Sequence, residues 1–194
     1  MNTTEILNTE TAHRFSKGFL ITKPVKRLLA ASFGTLLVIC ATLSANAHGL
    51  VYSVNIVGCV PDMTTYLLTA PLTTAQRQAL HAQNFNQLPP SARAAYLHAV
   101  AYAVSFAVAS DGKVPTAAML AEHLKTVSSS YDVPAIPPQY SAPAAAHLAI
   151  VNTALQELNV GISGVVANNS SLQQAIYAGA VSGFFLDNPA STGN

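Results

Sequence analysis

The stretch SARAAYLHAVAYAVSFAVAS, Ser91–Ser110, decides the fold. From Ala94 to Ala109 only His98 and Ser105 interrupt an otherwise apolar run, so a helix built from it has no polar face to give to water. Pro89 and Pro90 stand before it and Asp111-Gly112 after it, which sets its length, with Ser91 in position to cap its start. A helix apolar on nearly all sides has to be surrounded. At this length, and broken by His98 and Ser105, it is short for a bilayer, which needs about 20 predominantly apolar residues. It reads instead as the central helix of a bundle, and no stable membrane span is expected after the leader described below.

The flanking sequence supplies the helices that would surround it. TTAQRQALHAQNF (73–85) opens on a threonine cap and places Ala75, Leu80 and Phe85 near one side. VPTAAMLAEHLKTVSSS (114–130) opens at Pro115 or Thr116 and repeats Ala117, Leu120, Leu124 and Val127 at helical spacing, with Glu122 and Lys125 paired on the wet side. SAPAAAHLAIVNTALQELNVG (141–161) has Ser141 placed as cap, Pro143 in the first turn, and a heptad-like series of Leu148, Val151, Leu155 and Leu158 that demands a facing helix. SLQQAIYAGAVSGFFL (171–186) carries Ala175, Gly179 and Gly183 four residues apart, a ridge that lets another backbone approach closely, from inside the bundle or from a neighbour. Between the second and third of these helices, SSSYDVPAIPPQY (128–140) is held out of helix by Pro134, Pro137 and Pro138. The expectation is an all-α, single-domain bundle of about five helices spanning 63–188, with a frayed tail at 189–194.

The first quarter of the chain has a different character. Arg14, Lys17, Lys23, Lys26 and Arg27 precede an uncharged stretch, Leu28–Thr42, and a small-x-small exit at Ala45 and Ala47. This is the pattern of a Sec-type signal peptide covering 1–47, cut after Ala47, and it predicts a secreted or periplasmic protein beginning at His48. The n-region is long. KGFLITKPVKR resembles a prepilin junction, but Lys23, Pro24, Lys26 and Arg27 interrupt the helix such a junction requires; IVGC (56–59) resembles a lipobox displaced beyond the apolar core. Cleavage removes Cys40 and leaves Cys59, whose default reading is a buried small hydrophobe.

After His48 the chain carries four basic and six acidic residues, a net charge of −2. That gives no basic footprint for nucleic acid or anionic lipid. Charged residues make up 9% of the whole chain, against about 25% in ordinary globular proteins, and sparse charge weakens the repulsion that keeps copies apart. The segment 48–62 alternates Leu50, Tyr52, Val54 and Ile56 with smaller or polar residues, the period of a strand, and no second strand follows it. An extended arm with no partner in its own chain, together with the Ala175-Gly179-Gly183 ridge, points to a protein partner or a second copy.

Chemistry leaves fewer traces. No serine lies in GxSxG, the acids are scattered singly, and phosphate loops and dinucleotide fingerprints are absent, so no catalytic residue is assigned and a non-enzymatic binding or assembly role leads. A secreted enzyme with an unrecognised site is the third reading. Metal is the second, with copper or zinc as the ion. His48, once exposed by cleavage, would offer an α-amine and an imidazole together, and Met119 stands one turn before His123. His48-Gly49 resembles the mature start of lytic polysaccharide monooxygenases, which hold copper in a histidine brace. The resemblance covers those two residues, and those enzymes are β-sandwiches. A second ligand to His48 would have to be His81, His98, His123 or His147.

Overall fold

In a computed structural model, residues 50–127 and 130–185 are described, with side chains from 58 onward. Among them are seven α-helices and two 3-10 turns, with no strand. The helices are α1 (Leu50–Thr69), α2 (Thr74–Gln87), α3 (Pro90–Ala109), α4 (Ala117–Thr126), α5 (Ser141–Leu158), α6 (Ser163–Ala167) and α7 (Ser170–Phe185). The 3-10 turns are Pro138–Tyr140 and Asn159–Gly161, one at each end of α5. The all-α expectation holds. The expected leader 1–47, His48 and the expected tail 189–194 lie outside the described residues.

α3 is the axis, as its composition demands. Fourteen of its residues are buried, and it packs against α7, α1, α5 and α4. It is also, among the described residues, the one helix long and apolar enough to cross a membrane, and most of it is enclosed by the other helices. The cover comes from Val60 and Leu67 of α1, Leu120 of α4, Leu148, Val151, Leu155 and Leu158 of α5, and Val181 of α7. All four residues of the α5 heptad series are therefore inside. α3 starts one residue before the expected Ser91, with Pro90 in the first turn, where a missing N–H costs nothing. It stops at a left-handed turn: Asp111 has φ 54 and Gly112 φ 88, and the Gly112 N–H donates back to the Ala107 carbonyl at 2.7 Å.

The expected extended arm is not extended. Residues 50–62 are the first two-thirds of α1, which runs straight through Pro61. The alternating pattern was a weak guide because burial against α3 overrides local β-preference: Val60, Met63, Leu67 and Leu68 all enter the core. Pro61 removes one hydrogen bond of the ladder, and the buried stripe around it keeps the helix going. Leu50, Tyr52, Val54 and Ile56 thus lie on a helix; their side chains are outside the described residues. α1 is closed by a cation from the next helix. The Arg77 guanidinium donates to the carbonyl of Leu67 in the last turn and to those of Ala70 and Leu72 in the segment that follows it.

Caps fix the shorter helices. Thr73 and Gln76 form a reciprocal capping box at α2, the side chain of each accepting the other's backbone N–H. Thr116 Oγ1 accepts from the Met119 N–H and opens α4. Ser141 is already inside α5, because the 3-10 turn Pro138–Tyr140 leads into the helix directly. Glu122 and Lys125 pair at 2.9 Å on the exposed side of α4, as their spacing predicts. Cys59 is half-buried and disulfide-bonded, so it is not the buried small hydrophobe expected.

Candidate functional site

The two polar residues of the apolar helix, His98 and Ser105, lie seven apart and so share one face of α3, with Tyr102 between them. That face meets the small-residue ridge of α7. A Cβ on Gly179 would lie 2.3 Å from the His98 carbonyl oxygen, and one on Gly183 would lie 2.6 Å from the Tyr102 oxygen. Ala175 is fully buried on the same side. The ridge is thus filled by α3 of the same chain. Ala175, Gly179 and Gly183, expected as partner-facing residues, are internal, because only a backbone with no side chain between could come this near.

So close an approach lets α3 side chains reach α7 carbonyls. His98 Nδ1 sits 3.1 Å from the Ala175 oxygen and Ser105 Oγ 2.5 Å from the Ala180 oxygen. A carbonyl only accepts, so His98 carries its proton on Nδ1 and the Ser105 hydroxyl points at Ala180. Each residue then has one site left, and each meets a second histidine.

His98 Nε2 lies 2.9 Å from Nε2 of His123 on α4. The ring centroids are 5.1 Å apart and the planes 12° from parallel. That separation is close to the most that such a nitrogen contact allows, so the rings lie edge to edge, not face to face. With its Nδ1 protonated, neutral His98 accepts at Nε2, and His123 donates from Nε2. The His123 ring is stacked on Tyr102 at 4.0 Å, and the Tyr131 ring lies tilted over His98 at 5.1 Å. Tyr131 takes φ 50, a left-handed conformation that non-glycine residues seldom adopt. Burial pushes His98 down to about 4, helped by the His123 charge, and burial lowers His123 to about 4 as well. Both are neutral imidazoles at neutral pH.

Ser105 Oγ is 2.8 Å from His147 Nε2 on α5. The distance is that of a nucleophile and its base, but the polarity is reversed. Since the hydroxyl proton is spent on Ala180, His147 must donate to the oxygen and cannot take a proton from it. Ser105 is also fully enclosed. The fourth histidine, His81 of α2, is buried between Tyr96 and Asn159. Nε2 donates to Asn159 Oδ1 at 2.8 Å, and Nδ1 accepts from the Tyr96 hydroxyl at 2.9 Å. Burial lowers His81 to about 4 and raises Tyr96.

Of the residues singled out as metal ligands, His48 lies outside the described residues. Met119 is 42% exposed on α4, and His123, one turn on, is directed at His98. The structure therefore joins His123 to a residue 25 positions upstream on another helix. One signal for this was present in the sequence: a lone polar residue on an all-apolar helix needs a partner, and the partner of an imidazole is often another imidazole or a hydroxyl. Among the described residues no group of three or more metal-ligating side chains converges. Comparison with known protein families, with curated proteins and with solved structures returned no match.

Proposed function

We propose that this is an exported protein, released by cleavage after Ala47, that acts outside the cytoplasm by binding or assembly and not by catalysis. The observation that carries the reading is its surface. In a chain with 9% charged residues, Val160, Val165 and Tyr177 remain 61%, 47% and 44% exposed. A surface of that kind is poorly defended against association with a protein partner or a second copy. The buried hydroxyl and imidazole groups support the same reading, since Ser105 and His81 are committed to internal hydrogen bonds. Sedimentation velocity of the mature chain over a wide concentration range tests self-association. A growing oligomer fraction is expected, and a clean monomer at high concentration removes it. N-terminal sequencing of the exported form tests the cleavage site.

The metal alternative at the terminus rests on the α-amine that cleavage would give His48. It requires copper to bind the processed chain more tightly than a chain with one extra residue before His48; equal affinity ends it.

A further inference from the structure

We infer that His98 and His123 form a binding site for a borderline transition-metal ion, zinc or copper, held between their two Nε2 atoms with solvent completing its coordination. This site is separate from the His48 terminus and needs neither the leader nor its removal.

Three features carry it. First, His98 is oriented as metal-binding histidines are: its Nδ1–H is fixed on the Ala175 carbonyl, which commits the tautomer and aims the Nε2 lone pair outward. Second, the other nitrogen in that direction is the Nε2 of His123, 2.9 Å away and nearly in the same plane. Imidazole nitrogen suits zinc and copper. Third, the site is walled by two aromatic rings, with Tyr102 under His123 and Tyr131 over His98, while His123 itself is half-buried and gives an ion a way in.

The proton balance is simple. In the metal-free state the pair shares the hydrogen on His123 Nε2. When an ion enters, that proton passes through water to Nδ1 of the same ring, so both Nε2 lone pairs face the metal and no net proton is released. The nitrogens must separate. With metal–nitrogen bonds of about 2.0–2.1 Å, a tetrahedral ion holds its two ligands roughly 3.4 Å apart, so the His123 ring swings and withdraws by about half an ångström. α4 is only ten residues long and lies at the edge of the bundle, where such a movement disturbs little of the core.

The test is a titration of the mature, metal-stripped protein with zinc(II) alone, followed by calorimetry and by nitrogen-resolved NMR of the histidine side chains. The expected result is one ion per chain, with His123 changing from the Nε2–H to the Nδ1–H tautomer and His98 staying Nδ1–H. His123→Gln should lower affinity more than the about 10–100-fold typical of losing an outer-shell partner, while His147→Gln and a chain extended before His48 should bind as the parent does. No binding, equal binding by His123→Gln, or a saturated protein whose His123 tautomer has not changed would each overturn the assignment. The tautomer measurement uses the unsubstituted protein, so it decides the matter even where a variant folds poorly.

Discussion

Replacing Gly179 by alanine puts one methyl group into the seam between α3 and α7. The added carbon would lie 2.3 Å from the His98 oxygen, 3.1 Å from its carbonyl carbon and 3.1 Å from the Tyr102 nitrogen, where ordinary contact begins at 3.4 Å. All three neighbours are backbone atoms of the central helix and cannot rotate away. The helices must part by about 1.1 Å, and the His98–Ala175 hydrogen bond on the same seam, now 3.1 Å, then passes beyond reach. Overpacking of this kind costs about 1–3 kcal/mol, and a buried hydrogen bond adds about 1 kcal/mol or more. Alanine's better helix propensity returns about 1 kcal/mol. The net expectation is a loss of about 1–3 kcal/mol, or a fall in melting temperature of roughly 2–12 °C. Gly183→Ala meets the Tyr102 oxygen at 2.6 Å and Ser105 Cβ at 2.7 Å and should behave alike, and the double variant should lose less than the sum, because helices already parted leave space for the second methyl. Gly164, in the short α6, has nothing within 4 Å of its added carbon, so Gly164→Ala should be neutral or stabilising by up to about 1 kcal/mol. Urea unfolding followed by circular dichroism measures all four. If Gly179→Ala unfolds within about 0.5 kcal/mol of the parent, the backbone contact drawn here between α3 and α7 is wrong.

Two further outcomes follow from the same interior. Stability should fall as pH drops from about 6.5 towards 4. His81, His98, His123 and His147 are each lowered to about 4 in the folded protein, so over that window the unfolded chain binds more protons and acid favours it. The fully buried His81 and His98 would contribute roughly 3 kcal/mol each at the limit, and an unfolding midpoint unchanged between pH 7.5 and pH 5 would contradict their burial. Ser105→Ala should cost about 1–3 kcal/mol, by leaving the His147 N–H unpaired and taking from the Ala180 carbonyl its second donor, and it should move the His147 side-chain resonances; a silent substitution would show that the hydroxyl does not bridge the two helices.

The sequence by itself determined the class of fold and the identity of its axis. A sixteen-residue run with two polar interruptions calls for enclosure, and the heptad-like series in α5 and the capping threonines of α2 and α4 are local consequences of helix geometry that needed no tertiary knowledge. The sequence was misleading at 50–62, where alternation suggested a strand. Backbone preference there is worth tenths of a kilocalorie per residue, and the stripe Val60, Met63, Leu67 outweighs it once α3 is present to receive it. What only the tertiary structure decided is direction and partnership. Spacing showed that Ala175, Gly179 and Gly183 form a ridge but not which backbone fills it, and composition showed five histidines from residue 48 onward but not which would face one another. His98 meets His123 because the glycine ridge draws α3 against α7, the Ala175 carbonyl then fixes one side of the His98 ring, and the remaining nitrogen can be satisfied only from α4. Contacts between helices 25 residues apart depend on how the helices pack, and no local pattern in the chain encodes that.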